Sequence, residues 1–210
     1  MKYRTYLFHD LLAYVGTEFH PKRILEIGPK DGQDSYRLLR LTPLSLTLLD
    51  LPTREASNVV WRDPLTKYAR YCAIRVDYIS ADITTHALPA NTYDLIWCTG
   101  VLYHVKEQLP LIRSLYDALT PGGVLILESA TIRNPLLRWF NCVQLLWPFN
   151  ERVKQWYHLS KNVTHLPSQK AIVSWLEMAG FGSITKSTCH AKVSWKLART
   201  RTAYLARKPW

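Results

Sequence analysis

The chain has 210 residues, of which 48% are hydrophobic and 20% charged, and a formal net charge of +11. That size and balance exclude a disordered or fibrous chain and allow a full hydrophobic core with no disulfide or metal support. Cys72, Cys98, Cys142 and Cys189 form no CxxC pair and no zinc-spaced His cluster, and neither a signal-peptide core nor an 18-residue apolar run is present. A cytoplasmic protein with buried thiols, no metal and no transmembrane segment is expected.

Leu7, Phe8, Leu11, Leu12 and Val15 recur at helical spacing and Gly16 follows as a stop, which predicts an opening helix within residues 1–20. Arg23 to Gly28 is a short buried-strand pattern ending in glycine, and a polar turn then leads into a helical run through Tyr36, Leu38 and Leu39. Further strands follow at Leu46 to Asp50, Tyr78 to Asp82 and Tyr93 to Cys98, the first two closed by an acid. Lys106 to Leu119 puts Leu111, Ile112, Leu115 and Leu119 on one helical face, and Pro121, Gly122 and Gly123 turn the chain into a fifth strand, Val124 to Glu128. Its unbroken apolar character predicts burial on both faces.

Strands alternating with helices predict an α/β fold: a Rossmann-like, doubly wound, mostly parallel seven-stranded sheet with right-handed crossovers. The ending differs. Ser168 is placed to cap a helix that buries Ala171, Ile172, Trp175, Leu176 and Ala179 and stops at Gly180. Two last strands, around Ile184 to His190 and Thr202 to Arg207, are joined by too short a link for an ordinary crossover helix, so they should pair antiparallel. Residues 133–167 fit no strand and helix repeat and are rich in aromatics, which predicts an insertion after the fifth strand that covers the carboxyl edge of the sheet. With no linker in sight, residues 1–210 read as one domain.

Ligands of an open α/β sheet bind beyond the carboxyl ends of its strands, where the strand order reverses. That rule singles out Glu26, Gly28, Lys30 and Gly32 after the first strand, Asp50 after the second, and Asp82 after the third. Asp50 stands 22 positions beyond Gly28 (50 minus 28), the spacing of an acid that accepts hydrogen bonds from ribose hydroxyls. Asp31 and Asp34 sit at the helix N-terminus that a pyrophosphate would need, so a dinucleotide is disfavoured and a cationic nucleoside favoured.

This ordered set resembles the class I S-adenosylmethionine-dependent methyltransferases. The turn from Glu26 to Gly32, the acid Asp50, Ala81 with Asp82, Thr120 to Gly123, and Leu176 to Phe181 carry the resemblance, which covers roughly residues 23–208. From Gly100 to Glu128 the chain is particularly similar to the tRNA wobble-uridine carboxymethyltransferases, without the long N-terminal part of those enzymes. The resemblance implies S-adenosylmethionine as cofactor. Gly28 and Gly32 would let the backbone approach its methionine part, Asp50 would hold the ribose, Asp82 and Ile83 would face the adenine, and Thr99 and Gly100 would line the sulfonium wall. Lys30 stands where the family often has glycine, and would either crowd the cofactor or pair with its carboxylate.

Methyl transfer needs proximity and alignment, and a hydroxyl acceptor also needs a base. His104 is the first candidate because its ordinary pKa suits neutral pH, with Tyr103, Glu128 and His158 behind it. Trp139, Trp147, Trp156 and Tyr157 offer a stacking surface for an acceptor or, equally, the buried side of a covering helix, and residues 136–149 also fit a membrane interface. After Glu177 no acidic side chain occurs, while Lys186, Lys192, Lys196, Arg199, Arg201, Arg207 and Lys208 form a basic region for RNA or another anionic partner, or a solvated rim. The expected function is methylation of a small-molecule acceptor in biosynthesis. The alternatives are an RNA (tRNA) methyltransferase, tested by salt-dependent RNA binding, and a non-catalytic binding module with the same fold.

Overall fold

The computed structural model describes residues 2–146 and 165–210. A helix α1 (Lys2–Val15) precedes β1 (Arg23–Ile27), α2 (Gln33–Leu39), β2 (Ser45–Asp50), α3 (Glu55–Tyr71), β3 (Arg75–Ser80), β4 (Tyr93–Thr99), α4 (Gln108–Ala118) and β5 (Leu119–Ala130). Two short strands, β6 (Val143–Leu145) and β7 (His165–Pro167), pair with each other, and α5 (Gln169–Ala179), β8 (Ile184–Lys186), α6 (Trp195–Ala198) and β9 (Arg201–Arg207) complete the described chain.

Seven strands form one sheet in the order β3-β2-β1-β4-β5-β9-β8. The first five run parallel, whereas β9 lies antiparallel to β5 and to β8. The mostly parallel sheet with an antiparallel end is thus as the residue pattern predicts. The order reverses between β1 and β4, so the switch point lies where Gly28 and Gly100 follow those two strands.

Alternation along the strands divides the core into two layers. Leu25, Ile96 and Leu125 meet Leu111, Leu115, Ile172 and Leu176 of α4 and α5 on one face. Ile24, Trp97 and Ile126 meet Leu7, Leu11, Leu38 and Leu65 of α1, α2 and α3 on the other. Each such side chain contributes about 1.5–3 kcal/mol when fully buried, so the two-sided covering, not strand pairing alone, stabilises the parallel sheet.

Local chemistry sets the boundaries. Ser168 Oγ accepts the Ala171 N–H at 2.9 Å and Gly180 ends α5 at a φ of 103°, as its residues predict. The reading missed α3: its 17 residues contain Pro64 and bury only Asn58, Leu65 and Ala69, too sparse an apolar stripe to be read as a helix. β3 starts at Arg75 and stops at Ser80, so Asp82 belongs to the loop beyond it. Leu12, expected inward, is exposed, and Tyr3 and Arg4 are buried in its stead. Only Cys98 and Cys189 of the four thiols are fully buried, and burial raises them to about 12 and about 11 respectively. Among the described residues no helix is long and apolar enough to cross a membrane, and no group of three metal-ligating side chains converges.

Candidate functional site

The turn after β1 is conformationally demanding. Gly28 and Gly32 adopt φ of 70° and 72°, and Lys30 between them adopts 55°, a left-handed conformation that costs a side-chain-bearing residue roughly 1–2 kcal/mol. The two glycines are needed for different reasons. A Cβ at Gly28 would lie 2.9 Å from Val101 Cγ2, so the β1 and β4 loops close on each other there. A Cβ at Gly32 would lie 2.6 Å from the Trp61 ring, so this position serves the packing of α3 over the start of α2. Lys30 is exposed.

Glu26 is buried beside this turn. Ser35 Oγ donates to its Oε2 at 2.6 Å, while Oε1 has no hydrogen-bond partner. Burial, reinforced by the nearby Asp34 carboxylate, raises Glu26 to about 8 from an ordinary 4.5. A cation placed at Oε1 would favour its ionised form. Thr99 Oγ1, at the end of β4, is likewise buried and without a partner.

Gly100, with φ of 78°, opens a polar recess. At its Cβ position the nearest atoms are Tyr103 Oη at 3.5 Å, Arg4 Nη2 at 3.8 Å and Arg201 Nη2 at 3.9 Å. Both arginines are fixed from behind. Arg4 Nη1 donates to Asp34 Oδ2 at 2.5 Å, and Asp34 also accepts from Arg37 at 2.6 Å and from Trp97 Nε1 at 3.2 Å. Arg201 binds both oxygens of Glu128, donates to Tyr103 Oη at 3.4 Å and lies 5.2 Å from the centre of that ring. Burial disfavours the charge of each arginine, but the facing carboxylate outweighs it and holds both protonated.

Asp50 is at the end of β2 as expected, already engaged. Its Oδ1 accepts the Leu51 N–H at 2.9 Å, and its Oδ2 accepts from Asn58 at 3.0 Å and from Arg54 Nε at 3.3 Å. Oδ1 keeps a second lone pair for a further donor, whereas Oδ2 already faces two. A small pocket of about 70 Å³ lies between Asp50, Pro29, Trp61 and Tyr78. Asp82 Oδ1 caps its own loop through Thr84, and Ile83 helps line a larger cleft of about 250 Å³ with His86, Glu107 and Leu111.

The fold therefore gathers Glu26, Gly28, Lys30, Gly32, Thr99, Gly100 and Tyr103 at the switch point. His104 is exposed, its ring centre 4.4 Å from that of Tyr103. Glu128 is wholly buried, facing Arg201 and His190. Trp139 is exposed, and Trp147, Trp156, Tyr157 and His158 lie outside the described residues. Sequence reasoning missed Arg4, Asp34 in its pairing role, His190 and Arg201. No spacing rule links residues 30 to 73 positions apart, although a carboxylate in so apolar a strand as β5 demands a counter-ion.

A family model described as "Methyltransferase domain" matches residues 2–186. A tRNA U34 carboxymethyltransferase of Helicobacter acinonychis is 29% identical over 177 residues, covering 82% of this chain and 62% of that relative, so the chain spans less than two thirds of its length. Among solved structures, an S-adenosylmethionine-dependent methyltransferase from Mesorhizobium loti superposes with a TM-score of 0.63 at 19% identity, covering 96% and 98% of the two chains. The N-methyltransferase NodS of Bradyrhizobium japonicum, solved with S-adenosyl-L-homocysteine, gives 0.65 at 17% identity, covering 99% and 88%. At these identities the structural likeness concerns the fold.

Proposed function

Because the chain belongs to the methyltransferase-domain family, we propose that it moves a methyl group from S-adenosylmethionine to a small-molecule acceptor. The observation that carries this reading is the pair of buried, unpartnered oxygens, Glu26 Oε1 on β1 and Thr99 Oγ1 on β4, on the two neighbouring strands that flank the switch point. Buried polar atoms in a folded protein are normally satisfied, so orphaned acceptors on the two strands of the switch point support a ligand whose donors reach them. These residues fit a cationic nucleoside. S-adenosylmethionine supplies a methyl carbon made electrophilic by its sulfonium.

In this reading Glu26 receives the ligand's ammonium group, and Lys30 pairs with its carboxylate. Asp50 accepts from a ribose hydroxyl with the remaining lone pair of Oδ1, and Asp82 with Ile83 bounds the adenine. Gly28 and Gly100 keep the walls clear for backbone approach, while Gly32 acts through Trp61. Glu128 fixes Arg201, which fixes the Tyr103 hydroxyl, so that a polar group of defined direction faces the acceptor. His104 takes the acceptor proton where the acceptor is a hydroxyl. Holding acceptor and methyl group in line is the main source of rate.

Titration calorimetry with S-adenosylmethionine, S-adenosylhomocysteine and NAD tests the donor. Micromolar binding of the two sulfur nucleosides and none of NAD is expected; binding of NAD alone would overturn the reading. A second reading, an RNA acceptor, draws support from the name of the Helicobacter relative and from the basic C-terminal region. RNA affinity that falls steeply with salt would favour it over a small molecule.

A further inference from the structure

A second surface follows β5, outside the residues to which the proposed function gives a role. Leu136, Trp139, Phe140 and Leu145 are 73%, 81%, 64% and 65% exposed. Their backbone is nonetheless tied down. Ser168 Oγ donates to the Phe140 carbonyl at 2.5 Å, Ser168 N–H to the Cys142 carbonyl at 2.9 Å, and β6 pairs with β7. Single exposed apolar side chains are ordinary, but a run of them on a pinned segment marks a contact surface.

The charge around this run has one sign. Arg138 Nη2 donates to the Arg199 carbonyl, and the Arg199 guanidinium lies 5.2 Å from the centre of the Trp195 ring, itself 62% exposed, with Lys196 Nζ at 5.9 Å. Arg138 is pushed down by partial burial and by Arg199, and Lys186 by partial burial and by Arg138. Among the described residues after Glu128, Glu177 is the only acidic side chain. Cations this close together, none of them in an ion pair among the described residues, favour an anionic partner.

We propose that this face docks on an anionic lipid bilayer. Leu136, Trp139, Phe140 and Leu145 enter the boundary between headgroups and acyl chains, and Arg138, Lys186, Lys196 and Arg199 meet the lipid phosphates. The leucines decide between lipid and RNA. An aliphatic side chain has no ring to stack on a base, whereas it gains directly from transfer out of water into the acyl region. The face is connected to the recess along the chain, because Arg138 donates to the Arg199 carbonyl and Arg201, two residues on, places Nη2 3.9 Å from the Cβ position of Gly100. Docking would bring the recess close to the bilayer, which, resting on the methyltransferase reading, selects an amphiphilic acceptor.

The test is flotation of the full chain with vesicles of phosphatidylcholine alone and of phosphatidylcholine with phosphatidylglycerol. Binding to the anionic vesicles is expected, falling about tenfold or more in Leu136→Asp and Phe140→Asp and also in Arg138→Glu. Equal binding by all variants, or none by the unaltered chain, overturns the proposal. So does binding of a single-stranded RNA that Arg138→Glu abolishes, together with vesicle binding that Leu136→Asp leaves unchanged, since the cations of this face would then serve a nucleic acid. S-adenosylmethionine titration of Leu136→Asp and Phe140→Asp separates the two readings. Their nucleoside affinity should match the parent, and a parent that floats without binding the nucleoside would fail the donor reading alone.

Discussion

Glu128 and Arg201 form a two-point ion pair across the antiparallel junction of β5 and β9, with Nε 2.6 Å from Oε1 and Nη2 3.0 Å from Oε2. His190 Nε2 lies 3.2 Å from the same Oε1, and the Tyr3 ring centre is 4.6 Å from that of His190. The pair joins the sheet's interior to the recess at Gly100. In the proposed function it positions Tyr103, and its loss should be felt first in stability.

Removing Arg201 leaves the Glu128 carboxylate buried with His190 as its remaining partner, so Arg201→Met should destabilise the protein by about 3 kcal/mol. The double variant Glu128→Leu with Arg201→Met should recover most of that loss, because it also removes the orphaned carboxylate. Urea unfolding with an unchanged slope measures both. A single-variant loss under about 1 kcal/mol would mean that the pair is solvated.

Glu26 gives the apo protein a characteristic pH dependence. With a folded value of about 8 against an ordinary 4.5, the folded state holds a proton that the unfolded state releases, so stability is fully present below about 4.5 and falls as pH rises toward 8. Glu26→Gln should remove that decline and be the more stable form at pH 8 to 9. Thermal unfolding across that window checks it. Nucleoside binding by the parent at neutral pH should also release a proton, read as a buffer-dependent calorimetric enthalpy, whereas the Gln variant should release none from this group.

Lys30 combines a backbone cost with a proposed ligand contact. Lys30→Gly should raise the unfolding free energy by about 1 kcal/mol, since glycine tolerates the φ of 55°. If its ammonium pairs with the cofactor carboxylate, S-adenosylmethionine affinity should drop several-fold in the same variant. A stabilised protein with higher affinity would show that the side chain obstructs the turn.

Asp50→Ala should weaken S-adenosylmethionine binding by about tenfold or more, the usual scale for hydrogen bonds to a charged group. Asn58, buried beside it, loses its partner, so a stability cost of about 1 kcal/mol is expected as well. Asp50→Asn keeps a hydrogen-bonding side chain and should recover part of the affinity. Unchanged affinity in both variants would remove Asp50 from the site.

The layered α/β architecture was legible because its signals are local. Buried strands such as Leu46 to Asp50 read as short apolar runs, Ser168 and Gly180 announce both ends of α5, and the order of glycines and acids after β1, β2 and β3 carries the family resemblance. α3 was not legible, because a helix that buries so few of its residues is held by its neighbours rather than by its own pattern. For the aromatic run after β5 the residue pattern leaves a stacking surface and a buried helix side equally open, and Trp139 and Phe140 prove exposed, since hydrophobicity alone does not say which side of a chain finds a partner.

What the sequence determined by itself, then, was the order of elements, the parallel sheet and the positions that follow its strands, since each depends on interactions between residues close along the chain. Only the tertiary structure decided which distant charges share a buried space. Arg4 with Asp34, Arg201 with Glu128, and the unpartnered oxygens of Glu26 and Thr99 acquire their meaning from desolvation, and desolvation is a property of the folded interior that no spacing of residues encodes.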